Sequence, residues 1–134
     1  MLNMADAKVD PSRYAQSAEG RLIAGAGWDY AHESDFLRRE ILAAFGGVDA
    51  DMDTLFVEPY PDRWYDADCM LGEEAPLPGG DGVLRPSLCN AVILAAPNAA
   101  FIARWIDEAR SAFDGTWSNH SCRAAARLWA RHPG

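Results

Sequence analysis

The sequence predicts a small α/β domain in which helices cover a sheet. Residues 29–45 and residues 98–113 place apolar side chains at helical spacing. Residues 88–96, LCNAVILAA, form a near-continuous apolar run, which is typical of a strand that is buried on both faces. The order helix, strand, strand, strand, helix, helix then predicts a small mixed sheet covered by helices.

The first strong helix is expected over residues 29–45. Its apolar positions follow one face, Asp29 or Ser34 supplies an N-cap, and Gly46 ends the helix. The apolar positions are Phe36, Leu37, Ile41, Leu42 and Phe45. A weaker helix is expected over residues 11–27, ending near Gly25.

The strands are expected around Val48–Ala50, around Cys69–Leu71 and over residues 88–96. Residues 60–64 predict a turn, and the proline- and glycine-rich residues 75–82 predict a loop.

The C-terminal third predicts two helices joined by a loop at 114–121. The helix at 98–113 carries an apolar stripe, and a last helix is expected at 121–131 with Leu128 and Trp129 pointing inward. The stripe consists of Phe101, Ile102, Trp105, Ile106 and Ala109.

Composition excludes some classes of partner. The chain of 134 residues has 20 acidic and 12 basic residues, a net charge of −8, which disfavours nucleic acid and an anionic membrane surface. The three cysteines lack metal-type spacing and indicate reduced thiols. Neither a signal peptide nor an apolar run of membrane-spanning length is visible, so the expected location is the cytoplasm, with the inner face of the membrane as an alternative.

The segment GGVDADMDT, residues 46–54, concentrates carboxylates. Asp51 and Asp53 follow the expected end of a strand, where both can face one divalent cation such as Mg²⁺ or Mn²⁺. The alternative is a solvated acidic turn, because so short a pattern arises often by chance. A calcium loop counted from Asp49 requires glycine and glutamate where Thr54 and Tyr60 stand, so it does not fit.

The wider segment AHESDFLRREILAAFGGVDADMD, residues 31–53, resembles the signature of glycosyltransferases with a DXD sugar-binding region. That group includes glycosyltransferase family 32 and, more distantly, the glucosylating domains of large clostridial toxins. Eleven positions match at the family's spacing, and looser similarity extends over residues 29–133. The matching residues are Ala31, Ser34, Asp35, Arg38, Ile41, Leu42, Gly46, Gly47, Val48, Asp51 and Asp53.

The resemblance implies a GT-A-like, partial Rossmann-type fold and a hexosyltransferase type of activity. The enzyme would transfer a sugar from a UDP- or GDP-sugar donor to a saccharide or glycoconjugate acceptor in polysaccharide biosynthesis. Mn²⁺ or Mg²⁺ would be the cofactor, and the configuration of the sugar would be retained.

By the same resemblance, Asp35, Arg38 and Asp51 would be the catalytic residues. Asp51 and Asp53 would bind the metal, while Asp35 and Arg38 would hold hydroxyl groups of the donor sugar. The alternative for Asp35 and Arg38 is an ordinary helix ion pair between positions i and i+3, worth about 0.2–0.5 kcal/mol.

Three further residues are site candidates with open alternatives. Asn90 is expected near the sugar or acceptor, or else as a hydrogen-bonded core amide. His120 is a candidate metal or phosphate contact, or a loop histidine next to a helix cap. Ser121 is a candidate substrate contact or a plain N-cap. Trp117 packs either over the site or in the core, with the core as the default.

Two departures from the family pattern leave a second interpretation open. Asp49 stands where the family has a tyrosine, which adds a third negative charge beside the donor. Strands that hold the nucleotide base are not recognisable in residues 1–28, so residues 29–134 are expected to be the catalytic region of an N-terminally truncated enzyme. The alternative is an inactive remnant that binds a metal or a protein partner.

Overall fold

The computed structural model describes residues 30–78 and 81–132. It contains three α-helices and a three-stranded sheet, which confirms the α/β class. The elements are α1 (Tyr30–Phe45), β1 (Gly47–Ala50), β2 (Cys69–Pro78), β3 (Leu84–Ala95), α2 (Ala100–Ala112) and α3 (Cys122–Arg131).

Helix α1 has nearly the predicted bounds and ends sharply against the sheet. The Gly46 N–H donates to the Leu42 carbonyl at 2.8 Å, and Gly46 then turns the chain with a φ of +64°. A φ in this region is accessible to glycine at little cost. The turn lets β1 begin at once, so the helix and the strand that carry the acidic motif are joined without a loop.

The sheet has the order β1-β3-β2, and both strand pairs are antiparallel. A mixed sheet was expected, but the three described strands contain no parallel pair. The hairpin of β2 and β3 is also longer than predicted, because β2 continues to Pro78 and β3 begins at Leu84. The loop predicted at 75–82 is therefore wrong over its first half. The turn chemistry of this proline- and glycine-rich stretch was recognised, but cross-strand pairing extends into it.

A register shift interrupts the pairing of β2 with β3. Leu71 pairs with Ile93, whereas the next residue, Gly72, pairs with Cys89. Residues 90–92 of β3 therefore have no pairing partner on β2, and they form a bulge opposite the Leu71–Gly72 peptide. Such bulges bend a strand and redirect its side chains, and they recur beside active sites. Asn90 lies at this irregularity.

The helices form a layer on one face of the sheet, in which α1 and α3 contact the strands and α2 packs mainly on α1 and α3. Ile93 and Ala95 of the central strand contact this helical layer, and Ile102 and Trp105 of α2 are fully buried within it. The predicted stripe on α2 is confirmed at its buried positions, Ile102, Trp105, Ile106 and Ala109. Leu128 of α3 points inward as expected, but Trp129 is 41% exposed, so the prediction for Trp129 is wrong.

The irregular segment between β1 and β2 lies along the opposite face of the sheet. A short 3-10 helix at Asp62–Trp64 occupies the region where a turn was predicted. The weak helix predicted at 11–27, and the proposed segment 1–28, lie outside the described residues. Within residues 30–78 and 81–132, the helices are all too short or too polar to cross a bilayer.

Gly46 offers a test of this architecture. A Cβ at Gly46 would lie 2.6 Å from Pro97 Cδ and 2.8 Å from the Ala95 carbonyl oxygen, and its φ is positive. We expect Gly46→Ala to lower the free energy of unfolding by more than about 2 kcal/mol, because strain and a backbone clash combine. Urea denaturation followed by circular dichroism measures this difference.

Gly82→Ala is the matched control. Gly82 also has a positive φ, +76°, but a Cβ there meets no atom within 4 Å. It should lose only the strain contribution, about 1 kcal/mol. Equal losses in the two variants would contradict the tight approach of Gly46 to Pro97.

Candidate sugar-nucleotide site

A cleft of about 610 Å³ lies where β1 ends, between α1 and the loop that precedes α3. Its lining is mostly polar side chains, and all three aspartates of the acidic segment contribute to it. The lining residues are Ala31, Ser34, Asp35, Arg38, Asp49, Ala50, Asp51, Met52, Asp53, Asn90, Trp117, Ser118, Ser121 and Cys122.

Arg38 makes polar contacts with four other residues of the cleft. Its Nη2 donates to Asp51 Oδ1 at 2.7 Å, and its Nη1 donates to the Asn90 carbonyl at 2.7 Å. Nη1 also lies 3.3 Å from Asp49 Oδ2, and Nε lies 3.8 Å from Asp35 Oδ1. One guanidinium therefore faces three carboxylates that would otherwise repel one another.

Asn90 links α1 to the start of α3. Its Nδ2 donates to Asp35 Oδ1 at 2.8 Å and to Ser121 Oγ at 2.9 Å. Its Oδ1 lies 3.2 Å from the Cys122 sulfur. The bulge in β3 turns this amide into the cleft. Asn90 therefore lies in the candidate site and, at the same time, has the hydrogen bonds that were expected of a core amide.

His120 and Arg39 lie behind the cleft wall, and both are fully buried. The Nε2 of His120 is 3.2 Å from Asp35 Oδ2, and the ring stacks on Phe36 at 5.3 Å between centroids. The Arg39 guanidinium lies 5.0 Å from the ring centroids of both Phe36 and Trp105. Asp35 is thus held from behind on one oxygen and from the side on the other.

The charges around Asp35 and Arg38 stabilise their ionised forms. Burial raises the pKa of Asp35, but contact with His120 and the positive charges of Arg39 and Arg38 outweigh it and leave the pKa lowered. Burial lowers the pKa of Arg38, but Asp51, Asp49 and Asp35 outweigh it and raise the pKa. Burial lowers the pKa of Arg39 to about 10, where it still carries its charge at neutral pH.

Asp49 is the poorly stabilised carboxylate of the group. Burial is the main cause that raises its pKa; Arg38 opposes the rise, and the negative charges of Asp51 and Asp35 add to it. Its Oδ2 is buried and makes no hydrogen bond to the described residues, although Arg38 is close. The side chain points to the helical face because Asp49 is the register partner of Ile93.

Asp51 and Asp53 fit a hard divalent cation by their chemistry. Both supply carboxylate oxygens to the cleft, and Asp53 is exposed on its rim. Among residues 30–78 and 81–132, three or more His, Cys, Asp or Glu side chains do not gather into a metal cage. Two carboxylates alone suit an ion such as Mg²⁺, which is commonly bound by one or two carboxylates together with substrate phosphates.

The structure brings together six of the seven residues that the sequence singled out. The six that line the cleft are Asp35, Arg38, Asp51, Asp53, Asn90 and Ser121. His120 is the exception: it is fully buried behind Asp35 and does not line the cleft, so a direct metal contact does not fit its position. Trp117 is 73% exposed at the cleft, so its expected core position is wrong.

Sequence reasoning missed two buried polar residues of α1, Arg39 and His32. These residues and their apolar neighbours at Phe36 and Leu42 are spaced four, three and three residues apart, which places them on one buried face of α1. A charged residue in phase with an apolar stripe was the available signal. Such a pattern indicates a buried cation that has partners. For Arg39 the partners are the rings of Phe36 and Trp105 and the negative charge of Asp35.

Comparison with known proteins gives this cleft a family. Residues 1–71, more than half of the chain, match the family model described as glycosyltransferase sugar-binding region containing DXD motif. The chain belongs to this family. Asp51 and Asp53, the D-x-D pair expected from the sequence, lie within the matched residues and line the cleft.

A curated relative of this chain is the protein named glucan organizing enzyme 1 from Cryptococcus neoformans var. grubii serotype A. The two sequences are 34% identical over 105 residues, which is 78% of this chain. The same alignment is 28% of the relative, so the chain spans less than a third of the length of that protein.

Asp49 yields a prediction with a defined pH dependence. Folding raises the pKa of Asp49, so ionisation of Asp49 destabilises the folded protein. The stability that its protonation provides is fully present below the unfolded carboxyl pKa of about 3.9, and it is lost as the pH rises through the folded pKa. We expect Asp49→Asn to raise the free energy of unfolding at pH 7, by on the order of 1 kcal/mol. The gain should shrink as the pH falls towards 4.

Urea denaturation at a series of pH values, without divalent metal, measures the difference between variant and parent. Asp53→Asn is the control, because Asp53 is an exposed carboxylate four residues along the same segment. It should change stability by less than about 0.5 kcal/mol at every pH. A loss of stability in Asp49→Asn at pH 7 would mean that the ion pair with Arg38 outweighs the burial of Asp49.

Proposed function

We propose that this chain forms the catalytic region of a metal-dependent glycosyltransferase that uses a nucleotide-sugar donor. The observation that carries the proposal is the convergence of Asp35, Arg38, Asp51, Asp53 and Asn90 on one cleft. A half-buried cation held among carboxylates, beside a D-x-D pair of which Asp53 is exposed, is suited to a sugar diphosphate. The family membership supports the same activity.

On the donor side, Asp35 accepts hydrogen bonds from hydroxyl groups of the sugar. The His120 contact and the Asn90 amide fix its two oxygens in place, so little reorganisation is needed on binding. Arg38 places positive charge beside the leaving diphosphate, and its anchor on the Asn90 carbonyl keeps the guanidinium oriented. Ser121, at the entrance of α3, contributes a further hydroxyl to the same wall.

Asp51 and Asp53 are the residues that would hold Mn²⁺ or Mg²⁺ with the donor. Such an ion neutralises the charge of the diphosphate as it leaves. Arg38 donates to Asp51 Oδ1 at 2.7 Å, which orients this carboxylate in the cleft and supports its proposed role beside the diphosphate. Among the residues that the structure describes, Asp53 has no such partner, and it is exposed at the rim of the cleft.

The acceptor is proposed to be a saccharide or glycoconjugate, and the donor a UDP- or GDP-hexose. The name of the relative from Cryptococcus, glucan organizing enzyme 1, supports a role in polysaccharide biosynthesis. The three free cysteines support a reducing compartment, so we propose the cytoplasm or the inner face of the membrane as the place of the reaction.

The test is binding of UDP and GDP to the purified chain in the presence of Mn²⁺, together with hydrolysis of UDP- and GDP-hexoses. We expect Asp51→Asn and Asp53→Asn each to weaken nucleotide binding about tenfold or more, because loss of one charged contact costs about 1.5–3 kcal/mol. Isothermal titration measures the affinity, and release of free hexose measures turnover.

Asp62→Asn is the matched control, since it removes an exposed carboxylate of the 3-10 helix that does not line the cleft. It should leave the affinity unchanged. Parent protein that binds neither nucleotide with Mn²⁺ would refute the enzymatic proposal and favour a remnant that serves as an interaction domain. Nucleotide binding without turnover would support the site while assigning catalysis to a longer form of the chain.

A further inference from the structure

A second concave surface lies on the sheet face opposite the helices. We call it the aromatic groove; it has a volume of about 600 Å³ and is bounded by the irregular segment after the D-x-D pair and by strands β2 and β3. Its floor is formed by Val92 and Leu94 of the central strand. The lining residues are Thr54, Leu55, Phe56, Val57, Glu58, Pro59, Tyr60, Pro61, Trp64, Met70, Leu71, Gly72, Val92 and Leu94.

Three aromatic rings are assembled along this groove. The Tyr60 ring lies 5.5 Å from Phe56, edge to face, and 5.5 Å from Trp64 at an interplanar angle of 35°. These spacings fall within the range of favourable aromatic pairs. Apart from the short 3-10 helix, the segment that carries these rings is irregular, and the ring contacts connect its parts.

The apolar side chains of the groove are much more exposed to solvent than those of a hydrophobic core. Leu55 and Val57 are each 82% exposed, and Phe56 is 52% exposed. The Tyr60 hydroxyl, by contrast, is buried and makes no hydrogen bond to any described residue. A buried hydroxyl without a partner costs about 1–3 kcal/mol, so a shift of the Tyr60 side chain that brings its hydroxyl to a ligand in the groove would be favoured by up to that amount.

The groove adjoins the proposed donor cleft. Asp53 lines the cleft and the next residue, Thr54, lines the groove. Ala50 and Val92 are register partners on neighbouring strands, and each lines one of the two surfaces. The end of β1 is thus a shared wall between a site for charged donor groups and an aromatic surface.

We propose that the aromatic groove binds the acceptor saccharide. This assignment rests on the proposed function, since a sugar-transfer site requires a second saccharide beside the donor. A sugar ring presents C–H faces and a rim of hydroxyls, and its faces stack on aromatic rings while its hydroxyls need a few polar partners. Phe56, Tyr60 and Trp64 supply the rings, and the Tyr60 hydroxyl and the Glu58 carboxylate supply the polar partners.

The mixture of groups favours a saccharide over an apolar protein segment as the occupant. A helix or strand from another protein would leave the Tyr60 hydroxyl unpartnered and would bring its apolar side chains beside the Glu58 carboxylate. A saccharide chain places hydroxyl groups on both. The acidic character of the chain also disfavours an acidic glycan, so the proposed acceptor is a neutral one.

The experiment titrates the full chain with three neutral probes, maltohexaose, laminarihexaose and mannohexaose, and follows backbone amide shifts by NMR. We expect at least one probe to shift residues 54–64 with a dissociation constant in the millimolar range. Tyr60→Phe removes only the hydroxyl and Trp64→Leu removes a stacking face. Each should weaken that binding roughly two- to tenfold.

Tyr65→Phe and Trp129→Leu are the matched controls, because both side chains are exposed and neither lines the groove. They should leave the saccharide affinity unchanged. Binding of UDP with Mn²⁺, measured on the same samples, should be the same in all four variants as in the parent protein.

Two results would overturn the proposal. One is the absence of shifts with all three probes at about 10 mM, in protein that binds UDP with Mn²⁺. The other is saccharide binding that neither Tyr60→Phe nor Trp64→Leu weakens. Saccharide binding at residues 54–64 in protein that fails to bind nucleotide would instead refute the donor site and leave the groove as a saccharide site.

Discussion

The position of Arg38 organises the rest of the site. Its guanidinium reaches Asp51 and the Asn90 carbonyl at 2.7 Å each, and it also faces Asp49 and Asp35. Without this cation, three carboxylates around a half-buried cleft would repel one another at an energetic cost that a small domain affords poorly. The same contacts join α1, β1 and β3, so the charge balance of the cleft and the docking of the helix on the sheet depend on one side chain.

A second arrangement supports Asp35 from behind the cleft wall. Fully buried His120 lies 3.2 Å from Asp35, and fully buried Arg39 is enclosed by the rings of Phe36 and Trp105. Positive charge at this depth is costly, and the aromatic faces and the nearby Asp35 offset part of the cost. The consequence is a carboxylate at Asp35 whose pKa stays low despite burial, which keeps it available as a hydrogen-bond acceptor at neutral pH.

Local pattern was sufficient for the helices and for the position of the acidic motif. Periodicity predicted α1 and α2 closely, and the alternation at Val48–Ala50 placed Asp51 at the end of a strand, where it lies. The pattern failed where long-range pairing decides. The hairpin of β2 and β3 continues through a proline- and glycine-rich stretch because each strand supplies partners for the other. Trp129 and Trp117 are exposed because their helix and loop have no further layer to pack against among the described residues.

By itself, the sequence determined the α/β class, because helix periodicity is a local property. Its resemblance to the family also named Asp35, Arg38, Asp51 and Asp53, since the spacing of that motif can be read along the chain. Only the tertiary structure decided that Asn90 enters the cleft, since a register shift between β2 and β3 turns that residue out of the regular ladder. It also moved His120 from a proposed ligand to the far side of Asp35. The distinction is physical: spacing along a chain selects a face of one element, whereas contact between elements depends on how the core packs.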